Sequence, residues 1–463
     1  MRAIPFGILA AGMQARVLAV PESAGPSGVS IDSREGQSGT IFFAIRGERF
    51  DGHQYLGEVL ATGAAAVVAE EEAFAGLPAR DQLLERAAGN GQGVYLVRDS
   101  RQALGDAARA ALDFWKPRVI AVTGSSGKTT TRRILQTLLD ETWKIRTGVK
   151  NFNNEIGLPL TVFTLEDGDE ILLLEMGMNH AGELKRLADI ARPEIVVITN
   201  IGTAHIEHLG SRDGIAAAKK EALAFCTGES MAVLNSEDPY FDFLSTGVPG
   251  SIVPFGAVPE GFTLVRDNGL DGYVLGYAGG ETVFALGGAH NLLDLSAGVA
   301  LAHKLGLATS VLANRISLVR AVESRSQVVD GRVRVINDCY NANPESMRAG
   351  LNLLASASGG RRVAVLADML ELGGDSARLH GELGEWIAAS QGVDELVLLG
   401  PGMAECGRSA LNAGFDPARL HAFLSRDELG GFLAGFAREG DTVLLKGSHG
   451  MQLESVLPVL SGE

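Results

Sequence analysis

The stretch Arg118-Val-Ile-Ala-Val-Thr123-Gly124-Ser125-Ser126-Gly127-Lys128-Thr129-Thr130-Thr131 carries the densest chemistry in this sequence. A β-branched run ends in a turn of small residues, followed by Lys, Thr and a helical pattern over 132–139. That order aims successive backbone N–H groups and a helix N-terminus at one point, the geometry that holds a phosphate. Lys128 would reach the outer phosphates, and the Thr129 hydroxyl a phosphate-bound Mg²⁺. The spacing is Gly124-x-x-Gly127-Lys128-Thr129, and Val122 stands where the longer common pattern has its first glycine. A plain Gly/Ser turn is the competing reading. The apolar strand before it and the helix after it favour a nucleotide site.

Other polar groups fall at the ends of apolar runs, where ligands of parallel sheets sit. Glu175 ends Leu-Leu-Leu-Glu-Met-Gly and could meet the phosphate loop from a neighbouring strand, sharing Mg²⁺ with Thr129. Its alternative role is to cap the next helix. His205 lies in a Gly/Thr-rich loop, Asn200-Ile-Gly-Thr-Ala-His-Ile-Glu-His208, and is a candidate for metal or substrate contact. Asn151-Phe-Asn153-Asn154-Glu-Ile-Gly157-Leu-Pro159 is a polar loop whose amides could bind phosphate or carboxylate oxygens. Lys219, in Gly-Ile-Ala-Ala-Ala-Lys-Lys-Glu, reads by spacing alone as a solvated helix face.

These residues need a parallel sheet to bring them together, and the hydrophobic pattern predicts one. Residues 1–98 read as a small mixed α/β domain, with strands near 40–45, 65–69 and 94–97 and a helix over 55–62. A helix at 101–115 leads into a central domain, 99–310, where apolar strands at 171–175, 194–199 and 230–234 alternate with amphipathic helices. The segment 250–287 reads as antiparallel strands appended to that sheet, and a helix at 289–305 closes the region. A C-terminal domain, 311–463, repeats the alternation with strands at 333–337, 362–366, 395–399 and 442–445. Helices at 344–354, 376–388 and 424–437 make it a second doubly wound, Rossmann-like unit. The fold class is therefore α/β in three domains.

Bulk composition agrees. A chain of 463 residues is too long for one core. A net charge of −16 argues against nucleic acid or an anionic membrane as partner, yet leaves room for a locally basic site. No signal pattern or membrane-length apolar run is present, and Cys226, Cys339 and Cys406 are scattered, so a cytoplasmic location is expected.

The motifs resemble those of the Mur ligases, ATP-dependent amide-forming enzymes of peptidoglycan precursor synthesis, over essentially the whole chain. The first domain carries Ile31-Asp-Ser33-Arg34, Gly39-Thr-Ile-Phe-Phe-Ala-Ile-Arg-Gly47 and Asp51-Gly-His53. The second carries the phosphate loop, the Asn-rich loop, Glu175-Met-Gly-Met, Ala204-His205, Lys219 and His290-Asn291. The third carries Asp338-Cys-Tyr-Asn341-Ala-Asn343-Pro-Glu-Ser-Met347, Leu366-Ala-Asp-Met-Leu-Glu-Leu-Gly373 with His380, and Leu445-Lys446-Gly-Ser448.

The resemblance implies that ATP and two Mg²⁺ ions bind here, with Thr129 and Glu175 on one ion. It implies that His205, Glu175 and a carbamylated Lys219 hold the other. It further implies adenine contact by Asn291, γ-phosphate and ribose contacts by Arg325 and Asp338, and an ATP contact by Asn341. Ser33 and Arg34 would seat the uridine diphosphate end of a substrate, with Asn153, Asn154, Lys446 and Ser448 elsewhere along it. The third-domain motifs resemble those of the member that joins D-Ala-D-Ala to UDP-N-acetylmuramoyl-tripeptide through an acyl phosphate, and a monomer is expected. Ligases adding the third amino acid (L-Lys or diaminopimelate) and a non-catalytic nucleotide-gated binder are the alternatives. The sequence departs from the family at Asp294, where many relatives have Asn, at Ser324 and Ala367, where Gly is usual, and at His449, where Arg is common.

Overall fold

The computed structural model describes residues 1–47, 49–148 and 152–461. Three main sheets account for the chain, and in each the alternation of side chains assigns one set to each face.

The N-terminal sheet runs in the order Arg16–Ala19, Gly93–Val97, Ala66–Glu70, Ile41–Phe43, Val29–Ser30, parallel except for Arg16–Ala19. Phe42, Val67 and Val94 face Leu56, Val59 and Leu60, while Phe43, Val68 and Tyr95 face the helix Ser100–Trp115 and the residues before it. That helix, begun by Asp99 accepting from the N–H of Gln102, also packs on the central domain. It is the joint between the first two domains.

The central sheet is wholly parallel, ordered Ser251–Phe255, Met231–Asn235, Ile195–Ile198, Arg118–Thr123, Ile171–Glu175, Ile145–Thr147. Its four inner strands are buried on both faces, as their continuous apolar runs require, while the edge strands Ser251–Phe255 and Ile145–Thr147 are partly exposed. Ile120, Val122, Leu173 and Val197 lie under the helices Lys128–Leu139, Ala289–Lys304 and Thr309–Ile316; Ala121, Leu172, Leu174 and Val196 lie under Ser100–Trp115 and Glu183–Ala191. The packed core of this unit runs past residue 310 as far as Val319.

The segment 250–287 departs from the expectation of antiparallel strands appended to this sheet. Ser251–Phe255 joins it in parallel, and Thr263–Asp267, Tyr273–Tyr277 and Gly280–Phe284 form a separate antiparallel sheet. Pro254 lies within Ser251–Phe255, the last strand of the central sheet, and without an N–H it cannot extend the ladder further. Tyr273, Leu275 and Phe284 instead bury against the helices behind the sheet.

The C-terminal sheet runs Gln327–Val329, Arg334–Asp338, Thr442–Lys446, Arg362–Ala367, Glu395–Leu399, Leu420–Phe423, with Gln327–Val329 antiparallel and the rest parallel. Helices Pro344–Ala355 and Ser376–Ser390 cover one face and Arg426–Phe436 the other. Among the described residues no helix is long and apolar enough to cross a membrane.

Candidate active site

Strand Arg118–Thr123 lies between Ile171–Glu175 and Ile195–Ile198, so its carboxyl end is where the strand order turns and a crevice opens. Gly124 leaves this end at φ 147°, and a Cβ there would stand 1.9 Å from Thr199 Oγ1, so only glycine lets the loop pass. The Thr199 hydroxyl donates to the Ser126 carbonyl at 2.5 Å, and Asn200 Oδ1 accepts the Ser126 N–H at 3.1 Å. Ser125 Oγ accepts the Gly202 N–H at 2.8 Å, and Thr123 is buried beneath the turn. Gly127, at φ 79°, starts the helix Lys128–Leu139 with no side-chain cap, which leaves its first N–H groups for a ligand. Lys128 Nζ folds back to donate to the Gly124 carbonyl at 2.9 Å. Burial lowers its pKa, a shift that the nearby Glu175 opposes.

Glu175 is buried at the end of its strand, one residue across the ladder from the phosphate-loop strand. Its Oε2 accepts the Thr129 hydroxyl at 2.7 Å and lies 3.7 Å from Arg132 Nε; its Oε1 accepts from Asn153 Nδ2 at 3.2 Å. Helix capping by Glu175 does not occur. Lys219 is not on a solvated face: it is 2% exposed, and among the described residues no hydrogen bond or ion pair holds its Nζ. Burial drives its pKa well below the ordinary lysine value, with Lys128 adding repulsion. Burial thus shifts this amine toward its neutral form.

The third domain closes over this end of the sheet. His205 Nδ1 stands 2.7 Å from Glu371 Oε2, yet without hydrogen-bond alignment, so that buried nitrogen has no hydrogen-bond partner. Glu345 Oε2 accepts both the N–H of Thr203, at 3.1 Å, and its hydroxyl, at 2.8 Å. Asp338 accepts the Ser326 N–H at 3.0 Å and Lys446 Nζ at 2.7 Å, and Lys446 also reaches the Asn341 carbonyl at 3.1 Å. Arg325 lies over the Tyr340 ring, 3.7 Å from its centroid, with no carboxylate partner within ion-pair distance among the described residues. Between the domains remains a cavity of about 460 Å³.

Of the residues expected to act, Ser125, Ser126, Gly127, Lys128, Thr130, Asn153, Glu175, His205, Asn291, Arg325, Asp338, Asn341 and Lys446 line that cavity. Thr129 faces a smaller neighbouring cavity of about 280 Å³, and Lys219 lies buried outside the lining. Ser33 and Arg34 lie apart in the first domain, where Arg34 forks onto Asp32 at 2.8 and 2.6 Å. Asn154 Oδ1 accepts the Gly157 N–H at 2.9 Å in the turn before the helix Gly157–Val162, and Asn151 lies outside the described residues. Ser448 is buried and accepts the Leu370 N–H at 2.9 Å, so it fixes the loop that carries Glu371. Sequence reasoning assigned no role to Glu345, Glu371, Asn200 or Arg132. Glu345 and Glu371 sit inside motifs already singled out, but a contact between domains leaves no periodic trace.

Comparison with known proteins bears on the same features. Residues 26–111 match the Mur ligase family catalytic domain, 122–258 the Mur ligase middle domain and 324–449 the Mur ligase glutamate ligase domain. The UDP-N-acetylmuramoyl-tripeptide--D-alanyl-D-alanine ligase of Bacillus subtilis is 33% identical over 93% of this chain and 92% of its own. That of Treponema pallidum is 34% identical over 98% of both. A crystal structure of MurF from Acinetobacter baumannii superposes with a TM-score of 0.86 at 27% identity, covering 99% of each chain. MurF ligase from Thermotoga maritima in complex with ADP gives 0.79 at 28% identity, covering 96% of this chain and 98% of that one. With near-full-length identity at this level and all three domains matched, the chain belongs to the Mur ligase family.

Proposed function

We propose that this chain joins D-alanyl-D-alanine to UDP-N-acetylmuramoyl-tripeptide, the ligation its relatives' names carry, at the expense of ATP. The observation that carries the reading is the cavity walled on one side by the phosphate loop and on the other by Arg325, Asp338 and Lys446 of the third domain. A carboxylate acylates poorly at neutral pH, so it must first gain a leaving group. The substrate carboxylate attacks the γ-phosphorus, the bond to ADP breaks, and an acyl phosphate results. The dipeptide amine then attacks the carbonyl carbon, phosphate leaves with the C–O electron pair, and the amine gives up a proton.

The chain's own contribution is position and charge. The turn at 124–127 and the uncapped helix N-terminus receive the phosphates. Lys128 and Arg325 face them across the cavity and offset the repulsion between carboxylate and triphosphate. Asn291, anchored by its Nδ2 on the Gly287 carbonyl at 2.7 Å, keeps its amide oxygen for the base. Glu345 and Glu371 tie the third domain to the strand-end loop and exclude water from the reacting groups.

The donor set suits Mg²⁺. Thr129 and Glu175 converge as hard oxygen ligands, and His205, which stands against Glu371 here, offers a nitrogen for a second position. Among the described residues no three such groups are preassembled, so phosphate, water and a carbamate on Lys219 would complete the sites. When bound, the ions would supply neutralisation of phosphate charge. A neutral lysine amine is the form that reacts with CO₂, which supports Lys219 as the carbamate. The free cysteines suit a reducing cytoplasm, and the reading has the chain acting as a monomer.

ADP release with UDP-tripeptide and each acceptor in turn tests the reading. Release is expected with D-Ala-D-Ala, with neither L-Lys nor diaminopimelate replacing it, and is expected to vanish in Lys128→Ala and Glu175→Ala. Turnover with a single amino acid in place of the dipeptide would overturn it.

A further inference from the structure

The turn 124–127 takes its shape from outside itself. Gly124 and Gly127 both lie at positive φ and flank two serines, a composition that loses much conformational freedom when it is fixed. What fixes it is the turn 199–202, which follows the neighbouring strand Ile195–Ile198. The Ser125 N–H donates to the Asn200 carbonyl at 3.0 Å, and the Thr199 N–H to the Thr123 carbonyl at 3.0 Å. The Asn200 side chain then grips the next residue. Its Oδ1 accepts the Ser126 N–H at 3.1 Å and the Ser126 hydroxyl at 3.3 Å, and its Nδ2 donates to the Ser126 carbonyl at 3.3 Å. Answering both backbone groups of one residue needs an acceptor and a donor side by side, which a planar amide supplies. Asn200 is braced from behind in turn: the Ile201 N–H donates to Asp238 Oδ2 at 2.8 Å, and the Ile201 carbonyl accepts from Arg212 at 2.8 Å.

We infer that Asn200 is a positioning residue for the nucleotide phosphates, setting the turn before any ligand arrives. By occupying the N–H groups of Ser125 and Ser126, it also leaves those that follow, at the uncapped helix start, for the phosphate oxygens. The inference rests on the nucleotide reading of the cavity. Asn200 lines that cavity, yet both lone pairs of its Oδ1 are spent on Ser126, so it acts through the loop. Donors held in place beforehand need no reorganisation when the charged ligand comes, whereas a loose turn would be ordered at the expense of affinity.

Hydrogen exchange of the full chain without ligand, read by mass spectrometry beside calorimetric titration with ADP, tests this role. Asn200→Leu keeps the size of the side chain and removes its bonds to Ser126. Exchange over the turn 124–127 is expected to quicken in it, with the rest of the chain unchanged, and Kd for ADP to rise about tenfold. Asn200→Asp keeps the acceptor for the Ser126 N–H, so exchange over the turn is expected to stay near the wild-type rate. A direct contact between Asn200 and the ligand would weaken ADP binding without moving exchange in the ligand-free chain, and that result would overturn the inference. So would quickening spread across the whole chain, or equal quickening in Asn200→Leu and Asn200→Asp. A wild-type chain with a slowly exchanging turn that binds no ADP would overturn the nucleotide reading itself.

Discussion

Lys219 illustrates how burial changes what a residue type means. On a helix of pattern Gly-Ile-Ala-Ala-Ala-Lys-Lys, a lysine ordinarily faces water, and its neighbour Lys220 does reach outward to the carbonyls of Phe243 and Thr246. Lys219 instead points inward with Ile215, Ala216 and Ala218, and it has no counter-ion among the described residues. A base with a depressed folded pKa costs stability: the unfolded chain protonates it below the ordinary value of 10.5, the folded chain only at lower pH. That cost grows as pH falls from 10.5 and is complete below the folded pKa. Lys219→Met is therefore expected to raise neutral-pH stability by about 1–3 kcal/mol while abolishing activity, measured by thermal melting beside ADP release. Incubation with ¹³C-bicarbonate is expected to give a carbamate ¹³C resonance in the wild type that Lys219→Met lacks. Loss of stability together with an unchanged spectrum would contradict both halves of this assignment.

Among elements, the helix Pro344–Ala355 shows how local sequence and long-range contact share one segment. Asn343 accepts the Ser346 N–H at 2.8 Å, the Ser346 hydroxyl reaches the Asn343 backbone N–H at 3.0 Å, and Pro344 opens the first turn. All of this was legible as a helix start in Asn-Pro-Glu-Ser. The use of Glu345 was not, because its partner Thr203 lies 142 residues away on another domain. Removing it should leave the helix intact and weaken closure. Glu345→Ala is expected to lower kcat and raise KM for ATP, with a loss of about 1–3 kcal/mol in kcat/KM, and with little change in circular dichroism. The same distinction explains the segment 250–287. Its strand content could be read from β-formers and glycines, but Pro254 and the burial of Tyr273 and Phe284 decided which sheet those strands join.

Over the whole molecule, the field and the fold oppose each other usefully. A chain of net charge −16 places Lys128, Arg132, Arg325 and Lys446 around the two adjoining cavities, interspersed with carboxylates such as Glu175, Asp338 and Glu345, so an anionic substrate meets fixed cations inside an acidic molecule. The segment of the third domain that brings Arg325 there passes through Ser324 at φ 57° and Ser326 at φ 47°, left-handed conformations that a branched side chain resists. Ser324→Val is expected to disfavour the closed arrangement by about 1–3 kcal/mol. Small-angle scattering with a non-hydrolysable ATP analogue should then show a larger radius of gyration than the wild type under the same conditions.

Local order determined the phosphate loop, the strand-end carboxylate, the alternating strands and helices and the three-part organisation, since each depends on residues close together in the chain. Strand periodicity, turn chemistry and a Gly-Lys-Thr step are short-range physics, and they can be read without coordinates. Tertiary structure alone decided that Lys219 is buried, that Ser448 braces a loop, that Glu345 and Glu371 bridge domains, and that Asp294 lies against Gly127. Those facts depend on which surfaces meet across long separations, where the balance of desolvation and pairing is set by neighbours that the local sequence does not name.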